Sequence, residues 1–478
     1  MESLKEKTAK GLFWGAISSG GMQLLNVVIG IFLARLLTPD DYGVVGMLAI
    51  FSAIAGNIQD SGFSTALVNL RKATARDYNA VFWFSTLMSI TLYALLFACA
   101  PLIATFFHEP TLIPLSRFIF LGFVLAALGV AHSAYMFRNL MNKQKALLSF
   151  TALLLSGTVG IVMALRGMGC WSLAWQQVLY IGIVSIGKYA FVPWRPSLKI
   201  DFSPIRRMFG FSNKILITTM ANTVSQNLLT FIFGRLFNAR VVGLFNQAYK
   251  WNTMASQLVA GTVAQVAQPV FSQLNDDPER QLRAFRKMLR FTAFLAFPAM
   301  FGLALVAREF IIVAISEKWT DSVLLLQMLC VGGAFLPFHT LYQNLMIGRG
   351  RSDVYMWCTI AQIIVQTTVI IATYQWGINV MVAAFSLLMV AWVAVWQHFA
   401  RRAIGLSVLM AAKDTMPYLA VAAAVMAITW LITKSIEPMV VLLVVRIVVA
   451  ALLYLIAMKL LGSKMFDECM SYLLKRKK

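Results

Sequence analysis

Long apolar runs recur from one end of the chain to the other, each closed by a short cluster of charged or turn-forming residues. They fall at 11–36, 41–68, 79–107, 112–137, 146–165, 170–192, 209–234, 241–271, 289–314, 322–347, 354–376, 378–400, 415–434 and 438–459. About 20 apolar residues in helical form match the hydrocarbon thickness of a bilayer. Only helices and closed barrels satisfy their backbone groups inside lipid. The runs are continuous and do not alternate apolar with polar, so they predict helices. The expected fold is an all-α polytopic membrane protein with about fourteen transmembrane helices.

Composition agrees. Of the 478 residues, 60% are hydrophobic and 13% charged, too few charges to keep a chain of this length in solution. The basic start (Lys5, Lys7, Lys10) precedes an apolar stretch longer than a signal-peptide core and without a small-residue cleavage site. It therefore reads as the first span. The five cysteines show no CxxC spacing, which argues against a metal site or a disulfide framework.

The net charge of +22 does not point to nucleic acid, because the basic residues punctuate the spans and form no single patch. With the N-terminus placed in the cytoplasm, about 31 of the 41 Lys and Arg fall in cytoplasmic segments, as the positive-inside rule requires. Both termini are then cytoplasmic, in a bacterial inner membrane. Lys250 and Arg446 fall inside spans. The loops are too short to hold a soluble domain. Gly348-Arg349-Gly350-Arg351 lacks the Lys-Ser/Thr of a nucleotide-binding loop, and neither HExxH nor GxSxG occurs. The chain is expected not to be an enzyme and to need no cofactor. A helix opening at Asp276-Asp277-Pro278, with Leu282, Phe285 and Leu289 between Arg283, Arg286, Lys287 and Arg290, suits either a helix lying on anionic headgroups or ordinary positive-inside anchoring.

The first outer turn reads Ala34-Arg35-Leu36-Leu37-Thr38-Pro39-Asp40-Asp41-Tyr42-Gly43. The fourth reads Gly234-Arg235-Leu236-Phe237-Asn238-Ala239-Arg240-Val241-Val242-Gly243. Arg, Leu and Gly recur at a constant offset, six spans apart, so orientation is kept. This predicts a parallel repeat about a pseudo-two-fold along the membrane normal. The expected organisation is an N-lobe at 1–200, a C-lobe at 201–404 and a C-terminal helix pair with a basic tail at 405–478.

The run Phe32-Leu33-Ala34-Arg35-Leu36-Leu37 followed by Thr-Pro-Asp-Asp-Tyr-Gly resembles the Wzx-type polysaccharide flippases, as does Ser61-Gly62-Phe63-Ser64-Thr65-Ala66-Leu67. These belong to the multidrug/oligosaccharidyl-lipid/polysaccharide exporter superfamily, and fourteen spans suit its colanic-acid-exporter-like branch. The resemblance implies translocation of a polyprenyl-diphosphate-linked oligosaccharide to the outer leaflet, by alternating access, for cell-surface polysaccharide. It implies membrane lipid as surroundings and allows polysaccharide polymerase and assembly proteins as partners. A coupling ion, H+ or Na+, is left open.

Such a substrate needs hydrogen-bonding groups for its sugars and positive charge for its diphosphate. In lipid those groups are costly, so polar intramembrane residues mark the path. Lys250 sits near the midplane of the eighth span, with Asn246 and Gln257 on its face and Gln247 beside it. The seventh span offers Lys214, Asn222 and Gln226, the second Asn57, and the first Gln23 and Asn26. A central hydrophilic cavity is expected, against the alternative of hydrogen bonds that only hold the bundle together. Asp60 and His339 are candidates for coupling, Arg35 and Arg235 for an outer gate. Arg446 is expected to face headgroups or a groove for the lipid tail. A multidrug cation antiporter of the same superfamily would want acid in the cavity, and the first span has none. A lipid II flippase would carry more arginine there. A membrane-embedded polymerase or ligase would carry a large outer loop.

Overall fold

Several helices begin where the sequence supplies a capping side chain, among them Thr38, Thr74, Asp277 and Ser407. The computed structural model describes residues 21–60, 63–70, 73–275, 277–463, 465–468 and 471. Lys5, Lys7 and Lys10, the first half of the first expected span, Ser61-Gly62 and Asp276 lie outside the described residues.

The first unit opens with α1 (Gly21–Leu36), α2 (Pro39–Met47), α3 (Ala49–Asp60) and α4 (Phe63–Asn69). It continues with α5 (Ala75–Phe107), α6 (Leu112–Ala127), α7 (Val130–Arg138), α8 (Asn142–Leu165), α9 (Cys170–Phe191) and α10 (Ser203–Leu236). Then come α11 (Ala239–Gln273), α12 (Pro278–Ala314), α13 (Ser322–Gly333), α14 (Leu336–Gly348), α15 (Ser352–Thr373), α16 (Ile378–Ile404), α17 (Val408–Thr433) and α18 (Met439–Leu460). Nine described segments are long and apolar enough to cross a membrane, or ten with the bent pair α6–α7. The expected fourteen exceeds this, because α1, α9, α10 and α11 are shorter within the described residues or more polar.

The chain divides into two compact units, Met1–Gly243 and Leu244–Lys478. In the first, α10 packs on α3, α4 and α5. The segment that leads into α10 is strapped to the start of α5. Asn79 donates to the Lys199 carbonyl at 2.7 Å and accepts from the Ser197 N–H at 2.8 Å. Trp83 Nε1 donates to the Ser197 carbonyl at 2.7 Å, Arg207 pairs with Asp77 at 3.0 Å, and Arg76 pairs with Asp201. Hydrogen bonds from the Ser203 N–H and hydroxyl, joined by Arg76, hold the Asp201 carboxyl below its ordinary range. Thr74 and Asp77 form a reciprocal capping box that fixes where α5 begins. Asn79→Ala should cost about 1–3 kcal/mol, because two hydrogen bonds made by a buried amide are lost together. Trypsin added to the membrane face that carries this segment should then cut faster after Lys199, and an unchanged cleavage rate would count against the strap.

The fourth expected span is broken, α6 and α7 meeting at 45°. At the break the chain passes Ser185 so closely that a Cβ on Gly129 would lie 3.0 Å from its Cα. The carbonyls freed by the bend are taken up locally. The Tyr189 hydroxyl donates to Leu128 at 3.1 Å and Lys188 to Gly129 at 3.4 Å.

The second unit is built around α12, which packs on α13, α17 and α18. The segment read as interfacial or as ordinary anchoring is the first third of this 37-residue helix, capped by the Asp277 carboxylate accepting from the Arg280 N–H at 3.0 Å. The reason is its apolar stripe, which continues in register into the span. Phe285 is fully buried, with ring centroids 5.7 Å from Phe271 and 5.0 Å from Tyr342, and Leu289 is buried as well. A stripe used up in protein packing has nothing left to lay on lipid. On the opposite side of the same turns, Arg286 and Arg290 hold Asp414 of α17 at 2.6 and 3.0 Å. The C-terminal pair is therefore tied to α12 by charge as well as by apolar packing.

Candidate functional site

The sharpest chemistry lies on α11. Its 35 residues begin just after the outer turn, capped by Asn238 Oδ1, which accepts from the Val241 N–H at 3.1 Å. Lys250 is twelfth in the helix, about 16 Å along its axis and so about half-way through a hydrocarbon core. Asn246, Lys250, Thr253 and Gln257 follow one another at spacings of four, three and four, one face of a helix. Asn246 and Lys250 are half-buried, Gln257 exposed and Gln247 buried.

The Lys250 ammonium lies 5.3 Å from the Trp251 ring centroid and has no ion pair among the described residues. On other sides of the same two turns, both polar atoms of Gln247, the Trp251 indole nitrogen and Asn252 Oδ1 are buried without a hydrogen-bond partner among the described residues. Buried polar groups are nearly always satisfied, so these four positions call for water or a polar ligand. Asn252 is held in place by Gly333 of α13, where a Cβ would overlap Asn252 Oδ1. Trp251, Asn252 and Gly333 were not singled out by the sequence. An indole or amide in a span is usually satisfied, and only the structure reveals that these are not.

In the first unit the candidates are placed differently. Gln23 and Asn26 are exposed on α1. Asn57 of α3 donates to Thr223 Oγ1 of α10 at 2.6 Å, the bundle-holding role set against a cavity role above. Asp60 lies at the end of α3, and Lys214, Asn222 and Gln226 lie along α10; their side chains are outside the described part of the structure. Arg35 is exposed at the end of α1. Arg235, exposed at the end of α10, stands 3.3 Å from His108 Nδ1 with its guanidinium 5.4 Å from the Phe106 ring centroid. In the second unit His339 of α14 is buried, and its Nε2 lies 2.8 Å from the Met389 carbonyl.

Arg446 departs from expectation in part. It lines a cavity of about 410 Å³ with Pro298, Gly302, Met426 and Tyr454, yet its head turns into the protein. There Nη1 meets Glu309 Oε1 of α12 at 2.8 Å, with both side chains under a tenth exposed. Nε donates to Thr433 Oγ1 at 3.2 Å. Glu309 was not singled out by the sequence. The signal was available, since an acid within one apolar span and an arginine within another are expected to pair.

Among the described residues the fold is all-helical, with spans long and apolar enough to cross a membrane, and α11 carries an ammonium within a span while no acid lies along α10 or α11. The family model for polysaccharide biosynthesis proteins matches residues 32–324, and the chain belongs to that family. It is 25% identical over 358 residues to the lipopolysaccharide biosynthesis protein WzxC of Escherichia coli (strain K12), covering 74% of this chain and 72% of that protein. It is 24% identical over 396 residues to the teichuronic acid biosynthesis protein TuaB of Bacillus subtilis (strain 168), covering 82% and 80%. The fold matches that of the lipid II flippase MurJ in an inward closed conformation, with a TM-score of 0.74 at 12% identity over 94% of this chain and 99% of that one.

Proposed function

We propose that this protein flips a polyprenyl-diphosphate-linked oligosaccharide from the cytoplasmic to the outer leaflet of a bacterial cytoplasmic membrane, for cell-surface polysaccharide. The observation that carries the reading is the α11 face on which Lys250, without an ion pair among the described residues, stands with Asn246, Thr253 and Gln257. The ammonium answers a diphosphate and the amide and hydroxyl groups answer sugar hydroxyls. The family and the named functions of the relatives support it. The alternation of basic loops supports cytoplasmic termini, and the repeated outer turn supports two lobes, 1–200 and 201–404, that exchange access between the two sides. A polymerase and assembly proteins would receive the product at the outer face. A cation antiporter fits less well, because α1, α10 and α11 carry no Asp or Glu.

Reconstitution into vesicles with a defined polyprenyl-diphosphate oligosaccharide, read by a leaflet-specific glycosidase or lectin, tests the proposal. Protein-dependent appearance of sugar in the opposite leaflet is expected. Transport of a cationic dye but no sugar lipid would replace the flippase reading with the antiporter. Imposed proton or sodium gradients in the same vesicles would identify a coupling ion.

A further inference from the structure

The two repeated outer turns are related in space as well as in sequence. Helix α1 ends at Leu36 and α10 at Leu236, and α2 starts at Pro39 and α11 at Ala239. The capping side chains are Thr38 and Asn238. Helix ends, caps and helix starts thus repeat at one offset. Within the first unit, Met1–Gly243, the two helix starts then cross. A Cβ on Gly43 would overlap the carbonyl oxygen of Ala239, and a Cβ on Gly243 would overlap the carbonyl oxygen of Pro39. It would also lie 3.0 Å from the Gly43 nitrogen. Each glycine is pressed on the first residue of the other helix, in matching positions of the repeat. Neither has a left-handed backbone that would itself require glycine. Close approach is the reason glycine stands at both positions.

Beside the crossing Gly234 packs under Phe107 and Met47, and Phe51, Phe106, Phe107 and Phe231 form one aromatic cluster. The two helix starts are thus held backbone against backbone with an aromatic layer next to them. Backbone packed on a glycine leaves no polar group stranded when it separates, so such a contact can part and reform as a path opens and closes.

We infer that Gly43 and Gly243 are positioning residues for translocation, and that their mutual contact is the outer seal of the substrate path. The inference rests on the flippase reading for what passes, but not for how the seal is detected. In a variant freed of its five native cysteines, a single cysteine replacing Gln257 would be labelled from outside by a membrane-impermeant thiol reagent. Gly43→Ala or Gly243→Ala should raise the labelling rate at least severalfold, because the closed crossing no longer fits a methyl group. Gly261→Ala, where a Cβ meets nothing within 4 Å, should leave the rate unchanged. A normally inserted Gly43→Ala or Gly243→Ala variant with unchanged labelling overturns the seal. Should the alanine variants fail to accumulate, Pro39→Cys with Ala239→Cys keeps both glycines and carries the test. Oxidative cross-linking should stop flipping and reduction restore it, and a cross-linked protein that still flips overturns the inference. Wild-type protein that flips no sugar lipid, yet responds to the glycine substitutions in labelling, would defeat the substrate reading and leave the seal standing.

Discussion

Lys250→Ala should cut flipping about 10- to 150-fold while the protein inserts at normal levels. The magnitude follows from a charge-assisted contact worth about 1.5–3 kcal/mol, with about 1.4 kcal/mol per tenfold in rate. A midplane charge costs at least about 2.5–3.5 kcal/mol to insert, and no ion pair among the described residues offsets it. Its removal therefore relieves the fold and should not reduce yield. Lys250→Arg should keep part of the activity, since the charge remains but the compact ammonium becomes a planar fork. A structural role predicts otherwise. If a carboxylate such as Asp60 neutralised the ammonium, either single substitution would lower the yield of folded protein, and the double neutral variant would restore it. Flipping rate and membrane abundance, measured on the same preparations, separate the accounts. Normal flipping by abundant Lys250→Ala would end the assignment of Lys250 as a substrate contact.

Much of this architecture is written in residue periodicity, because in lipid each helix satisfies its own backbone and apolarity alone marks it. What periodicity misses depends on a second helix. The break between α6 and α7 is invisible in an apolar run, since Leu128 and Gly129 can leave the ladder only because Tyr189 and Lys188 wait to take their carbonyls. The amphipathic stretch after Pro278 looks interfacial by composition, and only Phe271 and Tyr342 show that protein covers its apolar side. The same holds at the site. Lys250 stands out in sequence as a charge in an apolar run. That both polar atoms of Gln247 and Asn252 Oδ1 lack hydrogen-bond partners among the described residues while Asn57 has one is decided by neighbours far along the chain.

Arg446→Ala should destabilise the second unit by about 3–5 kcal/mol, the usual cost of stranding one member of a buried ion pair. Glu309 would be left charged beneath the surface of α12. Its Oε2 already has no partner among the described residues, so the arginine carries most of its compensation. The loss should appear as reduced monodisperse protein after detergent extraction and a lower melting temperature. Glu309→Gln alone should do the same for the opposite reason, leaving a buried guanidinium with neutral acceptors only, the new amide oxygen, Thr433 and the Leu305 carbonyl, the last two 3.2 and 3.4 Å away. Glu309→Gln combined with Arg446→Met should recover most of the yield, because replacing both members of a buried pair is often neutral or better. Arg446→Lys should fall between, keeping the charge but losing the second hydrogen-bonding arm. The pattern matters more than any one value. Two costly single variants and a mild double identify a pair that fastens α18 to α12. If either single variant melts like the wild type, the two charges are already hydrated or paired elsewhere, and the fastening role fails.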